Sequence, residues 1–148
     1  MRGKNRRIEI NQFDQLIPVF AADRAIELAF MFGSHARGEA GPLSDVDIAL
    51  LLSAGVPRDQ YLDYRLNYGA AIADAIHDDR VEVIILNTAP VALAHQVVQG
   101  RILYECTVEA RVQYVVAVQR KYLDLKSFFA IDHSYMQQRL KEHRFGQP

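Results

Sequence analysis

Apolar residues fall into two kinds of run along this chain. Between residues 11 and 23, Phe13, Leu16, Ile17 and Phe20 recur at helical spacing among amide and acidic residues. That pattern predicts an amphipathic helix, with Asn11 as its N-cap. Residues 25–32 are instead almost continuously apolar and stop at Gly33. A short unbroken run of this kind predicts a strand buried on both faces. A short helix is expected over residues 34–38, directly after the glycine, and then a loop over 39–43 through Gly41 and Pro42.

Further on, residues 45–52 predict a second strand, and residues 57–77 a helix with Leu62, Leu66, Ala70, Ala73 and Ile76 turned inward. Tyr61, Tyr64 and Tyr68 form another face of that helix, read as packing rather than chemistry. The β-branched run 81–86 predicts a third strand. Pro90 suits the first turn of a helix reaching about Gln99, and Gly100 precedes a short strand over 101–104. From Val108 the pattern is helical, with Val112, Val115, Val116, Leu123 and Phe128 as its apolar positions. A break is expected at 131–133, followed by a last polar helix. No repeat or long linker divides the 148 residues, so a single domain is expected over 1–148.

Charge narrows the function little but usefully. Seventeen basic against 18 acidic residues give a net charge of -1, which argues against general nucleic-acid binding. The single cysteine, Cys106, permits no internal disulfide and points to a reducing, cytoplasmic setting. The basic N-terminal stretch lacks the apolar run of a signal peptide, and no segment is apolar enough to span a membrane.

The chemistry concentrates between Gly33 and Asp47. Strand side chains alternate, so Asp45 and Asp47 share a face, with Cα atoms about 6.5–7 Å apart. Two ionised carboxylates so placed repel, and a hard divalent cation such as Mg²⁺ relieves the conflict. Glu82, second in the third strand, joins the same cluster if that strand lies beside the second. At the other end of the segment, Gly33 lets the backbone approach a ligand. A helix beginning there presents free N–H groups to phosphate. Ser34 adds a donor and Arg37 a cation. Phosphate-binding groups beside metal-binding carboxylates describe metal-assisted phosphoryl-type transfer.

Blander readings exist for each residue. An isolated Asp-x-Asp is often a solvated strand end, Ser34 also serves as an N-cap, and Arg37 as a surface charge. Glu82 has Arg80 and Arg101 as potential salt-bridge partners. The five histidines show no zinc spacing.

Gly33-Ser34, ten residues, then Asp45-Val46-Asp47 resembles the GS-x10-DxD signature of the DNA polymerase β-like nucleotidyltransferase superfamily. Length and wording resemble its minimal members, the MntA antitoxins paired with HEPN-type toxins. The resemblance implies an α+β nucleotidyltransferase fold: a mixed β-sheet with helices packed on one side and C-terminal helices. It implies that Gly33, Ser34, Arg37 and Ser44 contact nucleotide, and that Asp45, Asp47 and Glu82 are catalytic and hold Mg²⁺, with two ions expected. Glu82 stands where the family usually has Asp. The implied reaction transfers AMP from ATP to a tyrosine hydroxyl of a cognate HEPN-type toxin, which silences it. The alternatives are an antitoxin acting by binding alone, or transfer to an aminoglycoside or an RNA end. His133-Ser134-Tyr135 resembles the tail of a HEPN ribonuclease motif. The positions that would carry its arginine hold Lys126, Ser127 and Phe128, so the chain is not read as the toxin.

Overall fold

Residues 10–41 and 43–141 are described by a computed structural model. The basic N-terminal stretch and His143 lie outside the described residues. Four strands, β1 (Ile26–Phe32), β2 (Val46–Leu52), β3 (Val81–Ile85) and β4 (Arg101–Glu105), form one sheet in the order β3-β2-β1-β4. β1 pairs antiparallel with β2 and β4, whereas β2 and β3 are parallel. The parallel pair requires a crossover, supplied by the helix α3 (Tyr61–Ile76). The result is the expected mixed α+β sheet.

Alternation along the central strands feeds two cores. Ala29, Met31, Ile48 and Leu50 face Phe13, Leu16, Phe20, Ile72 and Ile76. Leu28, Phe30 and Ala49 face Leu86 and Val97 on the other side. Helices α1 (Ile17–Ala21) and α3 thus cover one face. The C-terminal helices α4 (Val91–Val98) and α5 (Val108–Lys141) cover the other. This double coverage is why β1 reads as an unbroken apolar run.

Three elements depart from the sequence pattern. The first helix is a 3-10 segment over Ile10–Leu16 that passes into α1, with Pro18 in the first turn of α1. Asn11 therefore sits inside the segment rather than capping it. Phe13, Leu16 and Phe20 are buried as expected, but Ile17 is exposed.

The second departure is the face of α3. Tyr61, Tyr64, Tyr68, Ile72 and Ile76 turn inward, while Leu62 and Leu66 are 58% and 63% exposed. Ala70 is also exposed and Ala73 only half-buried. The tyrosines win because each carries a large apolar ring together with a polar tip that reaches the rim. Tyr68 stacks between Tyr64 and Phe20, with ring centroids 6.1 and 6.0 Å away, and its hydroxyl donates to Asp23 at 3.4 Å. Leu62 and Leu66 lie instead beside β3, an edge strand with no further strand to cover them.

The third departure is α5, which runs unbroken through residues 131–133 where a break was expected. Its first turns pack Tyr114 and Val115 against the sheet, and Val118 is buried. Val112, Val116, Leu123 and Phe128 are exposed.

Candidate active site

β1 ends at Phe32, and the chain turns at Gly33 into the single-turn helix α2 (Gly33–Ala36). Gly33 has φ +75°, in the left-handed region that side chains disfavour. It also lies directly on Asp47: a Cβ there would collide with Oδ2 and stand 3.3 Å from Cγ. Two independent constraints therefore select glycine. Gly38, at φ +70°, ends the turn, and Glu39 N–H donates to Ser34 O at 2.9 Å.

The loop leading to β2 is stitched locally. Ser44 Oγ accepts from Gly41 N–H at 2.9 Å, and Ser44 N–H donates to Gly41 O at 3.2 Å. His35 Nε2 lies 3.3 Å from Ser44 O, which ties α2 to the residue before Asp45 when that nitrogen carries the proton. Val46 N–H then donates to Arg80 O at 2.8 Å, joining the start of β2 to the residue before β3. β2 begins at Val46, so Asp45 sits one residue ahead of the strand.

Register completes the cluster. Phe32 pairs with Asp47 across β1 and β2, and Asp47 pairs with Glu82 across β2 and β3. Paired residues project to the same side of a sheet, so Glu82 stands beside Asp47 as the sequence anticipated. A Glu82–Arg101 salt bridge is ruled out, because β3 and β4 are the two outer strands, about 14 Å apart at the usual strand spacing. Arg80 pairs with Asp78 at 3.4 Å.

Asp47 registers this crowding. Its pKa is raised, first by burial, then by the charges of Glu82 and Asp45; His35 and Arg37 partly offset the rise. Asp45 and Glu82 are exposed. As they stand, no three acidic, histidine or cysteine side chains among the described residues are gathered closely enough to enclose a cation. Mg²⁺ does not need such a cage, since it commonly takes one or two carboxylates and completes its shell with water and substrate phosphates. Asp47, a half-buried carboxylate beside two further acids, fits that role.

The remaining sequence candidates fall on the same rim. Ser34 is half-buried at the turn. Arg37 is exposed and pairs with Glu39 at 3.1 Å. The Ser44 hydroxyl oxygen accepts from Gly41 N–H, which shapes the loop and leaves the hydroxyl proton able to donate. The sequence assigned no role to His35, although its place immediately after Gly33-Ser34 was the available signal. At the far end of β2, Asn87 bonds Leu52 through both amide atoms, Oδ1 to N–H and Nδ2 to O, each at 2.8 Å. It extends the β2–β3 pairing beyond the last residue of β3.

Residues 14–108 match the nucleotidyltransferase domain model of polymerase β. The chain belongs to this family. The Gly33-Ser34 turn and the carboxylate cluster both lie within the matched segment. No curated protein matches the chain. Among solved structures, this nucleotidyltransferase is similar to a toxin–antitoxin complex with AMP-PNP, at 25% identity and a TM-score of 0.64, covering 85% of this chain and 97% of that one. It is similar to a mutant MntA–HpeT toxin–antitoxin complex at 26% identity and a TM-score of 0.64, covering 83% and 96%. It shares its fold with a Shewanella oneidensis complex of tri-AMPylated HEPN toxin and MNT antitoxin, at 22% identity, a TM-score of 0.62 and coverage of 85% and 97%.

Proposed function

We propose that this nucleotidyltransferase is an antitoxin that transfers AMP from ATP to a tyrosine hydroxyl of a HEPN-type toxin. The observation carrying the donor chemistry is the row Asp47–Glu82 beside the Gly33-Ser34 turn. The acceptor is supported by likeness to toxin–antitoxin complexes, one with AMP-PNP and one with an AMPylated toxin.

Gly33 and Ser34 bring main-chain N–H groups and a hydroxyl to the triphosphate, unobstructed because Gly33 has no side chain. Arg37 adds positive charge at the rim. Asp45, Asp47 and Glu82 would hold Mg²⁺, with water and substrate phosphates completing its shell, and the bound ion would neutralise phosphate charge and lower the pKa of the acceptor hydroxyl. The acceptor oxygen attacks the α-phosphorus in line. A P–O bond to the tyrosine forms as the bond to pyrophosphate breaks. Glu82, exposed at the edge strand, accepts the hydroxyl proton. His35 holds the Asp45 loop to α2 through Ser44 O, keeping Asp45 near Asp47.

A second reading, neutralisation by binding alone, is favoured by the exposed apolar residues of distal α5, with Phe128 at 65% and Leu123 at 60% exposure. α-Labelled ATP, Mg²⁺ and a candidate HEPN-type toxin decide between them. Label is expected on the toxin with wild type and absent with the Asp45→Ala/Asp47→Ala variant. No transfer by wild type overturns the catalytic reading. Full neutralisation by the double variant favours binding.

A further inference from the structure

The outer flank of α3 has a shape and charge order that complement themselves when reversed. Its N-terminal half projects two exposed leucines, Leu62 and Leu66. Its C-terminal half presents Gly69, Ala70 and Ala73, which line a shallow trough along β3. Charges follow the same division. Arg58 lines the groove at the leucine end, and Asp79 lines the trough at the small-residue end. Arg65 lines both and stands between them.

We infer that this flank is the contact between two copies of the chain, packed α3 against α3 in antiparallel fashion about a two-fold axis. Reversal about the middle of the stripe sets Leu62 over Ala73 of the second copy and Leu66 over its Gly69. The same operation brings Arg58 to the region of Asp79. Each leucine then enters a space that a larger side chain would fill, and each cation meets an anion. A two-fold contact must be self-complementary in this way, and it repeats every pairing twice. A parallel arrangement would set leucine on leucine and Arg58 on Arg58.

The edge strand bears on the choice of occupant. Arg65 Nε donates to Val83 O at 3.0 Å, so an outward-facing carbonyl of β3 already has a partner. That contact works against an extended peptide adding to the edge, which needs such carbonyls open. A helix laid beside the edge makes no such demand. Leu62 and Ala73 are about 16 Å apart at helical rise. The contact is therefore short, and a dimer in the micromolar range is expected rather than a permanent one.

Sedimentation equilibrium of the full chain tests this, independently of nucleotidyl transfer. Wild type is expected to dimerise with increasing concentration through the micromolar range. Leu66→Glu is expected to weaken dimerisation at least tenfold while far-UV circular dichroism stays unchanged, since the side chain is exposed. Arg58→Asp and Asp79→Arg are each expected to weaken it about fivefold or more. Combining both changes in one chain restores it. So does mixing the two single variants, because each copy then offers the charge the other lacks at both symmetric positions. A strictly monomeric wild type overturns the inference. So does a dimer that withstands Leu66→Glu, or one lost only through Phe128→Glu, which would move the contact to α5.

Discussion

Gly33 and Asp47 are in direct contact, the bare Cα of one against the carboxylate of the other. The glycine's left-handed φ and this approach act together, so even a methyl group is excluded on two grounds. Gly33→Ala is expected to lower nucleotidyl transfer by about 100-fold or more, the scale of displacing a catalytic group by roughly an ångström. Steady-state transfer from labelled ATP, with circular dichroism to confirm the fold, measures this. Activity within a fewfold of wild type would show that the contact does not position Asp47.

The fold also disfavours the charged form of Asp47. Its raised pKa means that the native state holds a proton more tightly than the unfolded chain. The stability it contributes is complete below the ordinary aspartate value of 3.8 and is lost as pH rises through the folded-state value. Asp47→Asn is expected to raise the melting temperature of the metal-free protein at pH 7, with the difference shrinking below pH 4. The same substitution removes a charge proposed to hold the metal, and transfer is expected to fall about 1,000-fold or more, the size of effect seen for electrostatic catalytic groups. Thermal melts across pH and activity assays check the two opposed effects.

Glu82 carries the third carboxylate of the cluster on a side chain one methylene longer than aspartate. Glu82→Asp is expected to retain activity within about tenfold, whereas Glu82→Gln loses about 100-fold or more, consistent with removal of a general base. Comparing the two variants under saturating Mg²⁺ separates charge from reach. Equal losses would assign Glu82 a packing role.

Asn87 replaces missing main-chain pairing at the end of β2. Asn87→Ala leaves both the N–H and the C=O of Leu52 without this partner. The expected cost is about 1–3 kcal/mol. Urea denaturation measures it, and no change in the midpoint would mean that solvent substitutes fully for the amide.

The two faces of α3 give a paired test. Ile72 is fully buried, and Ile72→Ala is expected to cost about 2–5 kcal/mol. Leu62→Ala, on the exposed flank, is expected to change monomer stability by less than about 0.5 kcal/mol. Similar losses in both would restore the leucine face as the buried one.

Much of this protein is local, and local features are readable in sequence. Apolar and β-branched runs, with the turn residues between them, placed all four described strands to within about one or two residues. The spacing of Gly33-Ser34 and Asp45-Val46-Asp47 isolated the site, because a glycine turn and a same-face acidic pair each need only neighbouring residues. Which face of α3 is buried was not local. Leucines and tyrosines both recur at helical spacing there, and only the position of edge strand β3 decides which side is covered. The placement of Glu82 beside Asp47, and of Gly33 upon it, likewise belongs to the tertiary structure. Sequence singled out the candidate residues; the parallel pairing of β2 with β3 set Glu82 beside Asp47, because register across strands is set by contacts between segments far apart in the chain.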